Sequence, residues 1–268
     1  MKPVARSLGE RAVGWISGAL VWLTVLFMLL PPILMLLLSF SGEDHLVFPP
    51  SRWGFRQYLA LIDSEYWLGA IWTSVKIAVP VAILSTLIGL GAGLAIHRSR
   101  LPGRAALSFA GITPLIVPVS AYAVALYGVF ADLNLIASYV GMVIAHTVLA
   151  VPLSLILFDA AMSALKPELE LVAMTLGASR RQAWSSITLR LLMPSFGASL
   201  VFAFLTSFDE AVLINFLGGG VFVTLPKGIF DAVRFGVDPL VAAISTILIA
   251  LTAALAAATI AIQRRSKA

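Results

Sequence analysis

The amino-acid sequence predicts an all-α membrane protein with six transmembrane helices and both termini in the cytoplasm. Three observations support this fold class: the composition, six long apolar runs, and an uneven distribution of basic residues. Of the 268 residues, 60% are hydrophobic and only 12% are charged, with a mean hydropathy of +1.00. A soluble domain carries about 25% charged residues, so these charges are too few to cover a soluble surface. The apolar content also excludes an intrinsically disordered chain.

Six apolar runs are each long enough to cross a bilayer, which takes about 20 mainly apolar residues in a helix. They cover residues 15–40, 67–95, 105–131, 137–158, 192–217 and 240–262. The first run follows a basic start, but it is much longer than the roughly 7–15-residue apolar core of a cleavable signal peptide. We therefore interpret it as a retained first span of a single transmembrane domain covering residues 1–268.

The basic residues predict the orientation of these helices, because lysine and arginine collect on the cytoplasmic side of a membrane. Most of the 18 basic residues fall at the termini and in the connections after the second and fourth runs. Those placed inside are Lys2, Arg6, Arg11, Arg98, Arg100, Arg104, Lys166, Arg180, Arg181, Arg190, Arg264, Arg265 and Lys267. Those placed outside are Arg52, Arg56, Lys227 and Arg234. The net charge of +5 therefore indicates topology, and we predict no nucleic-acid partner.

Small residues line one part of the second apolar run, where Gly89, Gly91 and Gly93 alternate with other residues. Small side chains let two helix backbones approach closely within a membrane. The sequence leaves open whether this surface packs inside the chain or against another subunit.

The longest polar interruption, residues 166–190, separates the fourth and fifth runs. Leu169, Val172, Ala173 and Leu176 recur there at helical spacing and predict a short amphipathic helix. Gly177 is placed to end it, since glycine adopts the left-handed conformation common just after a helix. A second short helix is expected over residues 181–189. Two interpretations remain open: a helix lying on the membrane surface, or a helix that docks into a groove on a cytoplasmic partner.

The sequence of this segment, LVAMTLGASRRQAW…ITLR, resembles the coupling loop of binding-protein-dependent ABC importer permeases. Gly177 matches the characteristic glycine of that loop and Ala173 its second alanine, while Leu171 stands where the family has a glutamate. The neighbouring Glu170 lies one place earlier, and Arg190 occupies the position of the loop-closing proline. The resemblance implies that residues 166–190 form a cytoplasmic coupling loop. The ATPase-coupling residues that it implies are Leu171, Ala173, Gly177, Ala178, Ile187 and Leu189.

Three further segments, residues 143–152, 206–216 and 225–249, are similar to the spermidine/putrescine branch of the same family. This resemblance implies a type I ABC importer permease fold in the bacterial inner membrane. It also implies three partners: a second homologous permease, a dimer of cytoplasmic ABC ATPases, and a periplasmic substrate-binding protein. The expected solute is a polyamine or a related cationic or opine-like compound, and an importer permease for a different solute is one alternative.

The chain lacks the GxxxxGK[ST] loop that holds nucleotide phosphates. We therefore predict a pore subunit that is not an enzyme, with no catalytic residues of its own. ATP and magnesium are expected on the partner ATPase, and this chain is expected to bind membrane lipid but no cofactor or metal. His45 and His97 fall in predicted loops and Asp159 at a predicted solvated helix end, which suggests no metal site.

Three titratable residues fall inside apolar runs: His146 in the fourth, and Asp209 with Glu210 in the fifth. A carboxylate at the centre of a spanning helix costs about 2.5–3.5 kcal/mol on insertion scales. This cost favours an interior or water-facing position, so Asp209 and Glu210 are candidates for the translocation path. The alternative for the acids is a structural bond to a neighbouring helix, which is also the commoner role of a lone intramembrane histidine.

Two rival functions use the same residues. A proton-coupled secondary carrier would employ Asp209, Glu210 and His146, but such carriers have internal repeats and paired broken helices, which the sequence does not display. A membrane anchor for a larger enzyme would use residues 166–190 as its docking surface.

Overall fold

The computed structural model describes residues 8–98, 102–166, 168–236 and 238–267. Within these ranges the chain forms α-helices, one 3-10 turn and one π segment, and the described residues contain no strand beyond an isolated bridge between Ser41 and Trp53. The fold is therefore all-α, as the composition predicts. Lys2, Arg6 and Arg100, which contributed to the predicted orientation, lie outside the described residues.

The chain divides into two units, of which the first comprises Met1–Ser64 and Ala232–Ala268. It contains α1 (Leu8–Ser39), α2 (Arg56–Ile62) and α12 (Leu240–Lys267), and α12 packs against both α1 and α2. The buried Gln57 side chain fastens the loop between α1 and α2. Its Nε2 donates hydrogen bonds to the carbonyl oxygens of Ser41, at 3.3 Å, and Glu43, at 2.8 Å.

The second unit, Glu65–Asp231, holds the remaining helices; α11 begins in it. These helices are α3 (Glu65–Arg98), α4 (Arg104–Ile112), α5 (Val119–Asp132), α6 (Tyr139–Ala164), α7 (Glu168–Thr175), α8 (Arg180–Ala183), α9 (Leu189–Phe208), α10 (Val212–Leu217) and α11 (Leu225–Phe235). Helices α3, α6 and α9 pack against one another and form the centre of the unit. The Thr86 and Ser199 hydroxyls lie 2.9 Å apart and join α3 to α9 within this buried centre.

Two glycines set the contact between α3 and α6. A Cβ placed on Gly89 would lie 2.6 Å from the Ser154 Cβ, and one on Gly93 would lie 3.2 Å from the Phe158 Cβ. Among the described residues, no atom beyond the backbone of the glycine's own helix and its chain neighbours lies within 4 Å of the corresponding position on Gly91. The small-residue surface is therefore used at Gly89 and Gly93 for packing inside the chain.

Four helical stretches are long and apolar enough to cross a membrane: Val13–Ser39, Glu65–Arg98, Tyr139–Ala164 and Arg180–Phe208. The first three agree with the first, second and fourth predicted runs. The described side chains of α12 reach Ala254, and the apolar stretch Leu240–Ala254 is shorter than these four. The protein is thus a multi-pass membrane protein, and the count of six spans stays a prediction.

The third predicted run, residues 105–131, is not one straight helix. The stretch Arg104–Leu115, which ends in the 3-10 turn Thr113–Leu115, meets Val119–Asp132 at an angle of 104°. Pro118 precedes α5 with φ −55° and ψ 132°. A proline lacks the N–H that an upstream helix would need, and it disfavours helical geometry in the residue before it. The pair forms a fifth span if its two arms cross the membrane together.

The prediction of a single helix over residues 192–217 is also wrong. One continuous helical path runs from Arg180 to Phe208, so the expected second short helix joins the fifth span directly. Helix α9 then stops at Phe208, and α10 begins only at Val212. The fifth predicted run is therefore broken near Asp209, as the third is at Pro118.

We predict that Gly89→Ala destabilises the protein, whereas Gly91→Ala does not. The new methyl group at Gly89 overlaps α6, including the Ser154 carbonyl carbon at 2.9 Å, and such overpacking costs about 1–3 kcal/mol. At Gly91 the methyl group meets open space, and alanine favours a helix over glycine by about 1 kcal/mol. Thermal denaturation of the detergent-solubilised chain measures the difference. Equal denaturation temperatures for the two variants contradict the close contact.

Candidate functional site

Helix α7 lies between α6 and α8 and ends in the turn that its sequence predicts. Gly177 has φ +94°, in the left-handed region. The Ala178 N–H donates to the Ala173 carbonyl at 3.0 Å, and the Gly177 N–H donates to the Met174 carbonyl at 3.1 Å. These two bonds form a Schellman motif. The prediction of a short helix ended by Gly177 is confirmed.

A capping box starts the next helix only two residues later. The Ser179 hydroxyl accepts a hydrogen bond from the Gln182 N–H, and the Gln182 side chain accepts one from the Ser179 N–H at 2.8 Å. Such reciprocal bonds satisfy two helix-start donors at once. The turn between α7 and α8 is therefore held at both ends by hydrogen bonds within the backbone and its caps.

The six predicted coupling residues divide by exposure. Leu171 is 58% exposed and Gly177 is exposed, whereas Ala173, Ala178, Ile187 and Leu189 are half-buried. The first two lie on the surface of the segment and the other four lie partly within it. The structure gives all six a place in one continuous segment of the second unit, and their part in ATPase coupling stays a prediction.

The surface of α7 is apolar without being covered by the described part of the chain. None of its residues is buried. Its exposed apolar side chains are Leu169, Leu171, Val172 and Met174, and Leu176, the residue after the helix, is 83% exposed. The prediction of an amphipathic helix is thus only partly right, because Leu169, Val172 and Leu176 do not pack on their own chain. An apolar surface of this kind fits a partner's groove or the membrane interface.

A π segment, Trp184–Thr188, connects α8 to α9. Segments with i→i+5 hydrogen bonds are rare and occur frequently at functional sites. Thr188, its last residue, is 2% exposed. The connection between α8 and the long helix α9 therefore contains a distinct helical geometry and ends on a buried hydroxyl.

Three residues from different elements meet beside α7, and we call them the polar clamp: Arg98, Glu170 and Thr188. The Arg98 Nη1 donates to the Glu170 Oε2 at 2.9 Å, and its Nη2 lies 2.8 Å from Oε1. The Thr188 hydroxyl also donates to the Glu170 Oε1. The clamp joins the end of α3, the first turn of α7 and the last residue of the π segment. Sequence reasoning missed it, because the family resemblance directs attention to Leu171.

The polar clamp also determines the charge state of Glu170. Burial by itself raises the pKa of this carboxyl. The hydrogen bonds from Thr188 and Arg98, together with the positive charges of Arg98 and Arg180, outweigh that effect and lower the pKa below its usual value. The carboxylate is therefore ionised at neutral pH, as a bidentate pair with arginine requires.

A second polar contact lies next to the clamp. The His97 Nε2 and the Asp159 Oδ1 are 2.8 Å apart and join the end of α3 to α6. The prediction that His97 lies in a loop is wrong, because it occupies the last turn of α3. Asp159 is half exposed and bonded to His97, so it is not simply solvated.

Asp209 and Glu210 lie in the break between α9 and α10, and not within a continuous helix. The Glu210 Oε1 accepts hydrogen bonds from the Val212 and Leu213 N–H groups, the latter at 3.1 Å. It therefore supplies acceptors for the first free donors of α10. The Asp209 side chain is exposed, and within the described part of the chain no side chain pairs with its carboxylate. The two acids thus have different local roles.

His146 lies at the buried contact between α6 and α9. Its Nδ1 is 3.0 Å from the Ser207 hydroxyl oxygen, and the residue is 1% exposed. Its Nε2 is buried and has no hydrogen-bond partner in the described part of the chain. This hydrogen bond joins α6 to the C-terminal end of α9. Its partner Ser207 lies two residues before Asp209.

Among the residues that the structure describes, no three His, Asp or Glu side chains lie together in a way that suits a metal ion. The candidate functional features of the second unit are the apolar α7 surface, the polar clamp and the break at Asp209 and Glu210.

Curated relatives match most of the chain. It is 26% identical to the spermidine/putrescine transport system permease protein PotC of Haemophilus influenzae, over 90% of this chain and 93% of that one. It is 27% identical to the putrescine transport system permease protein PotI of Escherichia coli K12, over 81% and 80%. It is 31% identical to the molybdenum transport system permease protein ModB of Mycobacterium bovis, over 74% and 80%.

A solved structure shares the fold. A chain of a bacterial ABC transporter involved in the import of the acidic polysaccharide alginate superposes with a TM-score of 0.71 at 16% identity. The match covers 97% of this chain and 99% of that one. The two chains thus share one fold.

A family model for the inner membrane component of binding-protein-dependent transport systems matches residues 85–267. This range contains the polar clamp, the α7 surface and the break at Asp209. Because the match covers well over half of the sequence, the chain belongs to the binding-protein-dependent inner-membrane component family, the permease subunits of ABC importers.

Proposed function

We propose that this permease spans the inner membrane six times, with both termini in the cytoplasm, and forms a translocation path together with a second homologous permease. A periplasmic binding protein delivers a small solute to this path. A dimer of ABC ATPases docks on residues 166–190 and supplies the energy, and ATP and magnesium bind there and not on this chain. The observation that carries the proposal is the uncovered apolar surface of α7, which a capped turn connects to the continuous helical path Arg180–Phe208.

The six-span topology is supported by helix lengths. Helix α12 has 28 residues, which at 1.5 Å per residue gives about 42 Å, more than the roughly 30 Å hydrocarbon core. The bent pair α4–α5 provides a further crossing. An even number of spans agrees with basic residues at both ends of the chain.

Docking of the ATPase on α7 is supported by the character of this surface. Four exposed apolar side chains on a helix of 8 residues, with Leu176 just after it, are costly to leave in water, at about 25 cal/mol for each Å². A membrane-surface helix normally turns basic residues toward the lipid headgroups, but α7 contains two glutamates and no basic residue. The composition of α7 therefore favours a protein groove over an anionic membrane surface.

The break at Asp209 is the proposed solute contact. Helix α9 has 20 residues and is about 30 Å long, so the break lies at the end of α9 far from the docking segment. Glu210 is occupied by the α10 backbone, which leaves Asp209 as the exposed carboxylate. An exposed carboxylate facing lipid is unfavourable, so Asp209 faces water or the second permease.

A cationic solute, a polyamine or an opine-like relative, fits a carboxylate in the path. Two relatives are named as polyamine permeases, which supports this solute class. The relative named as a molybdenum permease supports the alternative of a different solute on the same fold. The binding protein encoded with this chain is expected to select between them.

We predict the topology from the labelling of single cysteines, since the natural chain has no cysteine. A membrane-impermeant maleimide added to intact cells permeabilised only in the outer membrane is expected to label Ser51→Cys. It is expected to leave Ser7→Cys and Ser179→Cys unlabelled until the inner membrane is opened. Labelling of Ser7→Cys from outside contradicts the cytoplasmic N-terminus.

We predict that Val172→Asp weakens ATPase binding. Val172 is 56% exposed on α7, and docking of the ATPase would bury it. Loss of such a buried apolar side chain removes about 1.5–3 kcal/mol of binding free energy. That corresponds to a roughly 10- to 100-fold weaker complex. Co-purification of the ATPase with the membrane complex measures the change.

The matched control for this substitution is Val47→Asp, which changes a valine that is 40% exposed in the loop after α1. It is expected to leave ATPase binding intact. Equal binding by both variants contradicts docking on α7.

Solute uptake in proteoliposomes that continues without ATP favours the proton-coupled carrier over the proposed importer.

We predict that Asp209→Asn lowers the uptake of a cationic solute about tenfold, equivalent to about 1.4 kcal/mol, while the complex assembles normally. Glu210→Gln retains the side-chain oxygen that accepts from the α10 backbone, so its effect is expected to be smaller. ATP-driven uptake by the reconstituted complex measures both variants. Normal uptake by both removes the acids from the translocation path.

A further inference from the structure

We propose that the polar clamp makes α7 move as one body with α3 and α9, so that Glu170 acts as a positioning residue within its own chain and not as a contact to the ATPase. This inference rests on the proposed docking of the ATPase on α7. It assigns a role to a residue that lies one place away from the glutamate position of the family's loop.

Helix α7 has little else to hold it. None of its residues is buried, and it packs against α8 and the π segment. Within the described part of the chain, Glu170 is the residue of α7 whose side chain forms hydrogen bonds outside the helix, since the Thr175 hydroxyl donates to Val172 within it. Without the clamp, a force on the exposed face of α7 would turn the helix about its capped end without moving its neighbours.

The clamp leaves Glu170 few free acceptor positions. Its Oε2 accepts from the Arg98 Nη1, and its Oε1 receives both the Thr188 hydroxyl and the Arg98 Nη2. The Glu170 side chain is 16% exposed and the Arg98 side chain 31%. A carboxylate that is mostly shielded and already paired with one arginine is poorly placed to bind an arginine of another subunit.

The Arg98 side of the clamp is anchored firmly. Arg98 is the last residue of α3, which packs along both α6 and α9. The preceding residue, His97, bonds to Asp159 on α6. The guanidinium is therefore presented from the end of the central helix bundle and not from a loose loop.

Thr188 connects the polar clamp to α9, the helix that ends at the proposed solute contact. Thr188 is buried, and α9 begins at the next residue, Leu189. The Arg98 Nη2 lies 3.4 Å from the Thr188 hydroxyl oxygen, which closes the triangle of contacts. A displacement of α7 is thus passed through one carboxylate to the start of α9, whose other end carries Asp209.

The test is a charge exchange in the complete complex, reconstituted with its ATPase, second permease and binding protein. The variants Glu170→Gln and Arg98→Glu are expected to keep the ATPase bound but to lower solute uptake per ATP hydrolysed about tenfold. The double variant with Arg98→Glu and Glu170→Arg is expected to recover at least half of the natural ratio. Glu65→Gln, an exposed residue at the opposite end of α3, is the control and is expected to match the natural chain.

A second pair of variants is available if the charge exchange fails to assemble. Thr188→Val keeps the shape of the side chain and removes the hydroxyl, so it is expected to lower the ratio of uptake to hydrolysis. Thr188→Ser keeps the hydroxyl and is expected to retain it. A merely structural role would change the amount of complex and leave this ratio unchanged.

The outcomes separate this inference from the proposed function. Loss of ATPase binding by Glu170→Gln without recovery in the charge exchange makes Glu170 a contact to the ATPase and overturns the clamp. An unchanged uptake ratio in Glu170→Gln and Thr188→Val also overturns it. Docking on α7 is tested separately by Val172→Asp. The result of that test does not depend on the results of the clamp variants.

Discussion

Every backbone N–H and C=O that enters a bilayer needs a hydrogen-bond partner inside the protein, because lipid tails offer none. Long helices satisfy this constraint by themselves, so polar side chains are needed mainly where helices begin, end or bend. Glu210 accepts from the first N–H groups of α10, and the Ser138 hydroxyl accepts from Gly141 at the start of α6. The Ser74 hydroxyl accepts from the Leu225 N–H at the start of α11. Several of the polar residues of the second unit thus support the places where helices begin.

The length of the apolar runs was sufficient to predict the long helices. The predicted runs that became α1, α3 and α6 differ from the observed helices mainly at their ends, because an apolar stretch of this length has no other stable form in a membrane. The two broken runs were not predicted, since hydropathy does not distinguish a straight helix from a bent one. Pro118 was visible as a signal for the first break. The second, at Asp209, follows a helix without any proline or glycine at its end.

In the candidate site, the sequence predicts local interactions and misses contacts between distant residues. The left-handed turn at Gly177 follows from one residue type in one position, so it was predicted. The polar clamp joins Arg98 to a residue 72 positions away, which no local pattern reveals. Neighbouring residues on a helix point about 100° apart, so the shift from Leu171 to Glu170 is the difference between facing outward and facing the chain. The structure turns the leucine outward and the glutamate inward.

The π segment Trp184–Thr188 determines which insertions and deletions this chain tolerates before α9. A π turn holds about one residue more than an α turn, so it rotates every later side chain by roughly 100° about the helix axis. The buried residues after it, Leu192, Ser199, Ala203 and Ser207, continue at helical spacing from Thr188 and form one stripe. The angular phase of α9 is therefore set at Thr188, after α7 and α8 and near the end of residues 166–190. Changes in loop length before the π segment leave that phase intact, whereas a single insertion or deletion within it would turn the whole stripe away from α3 and α6.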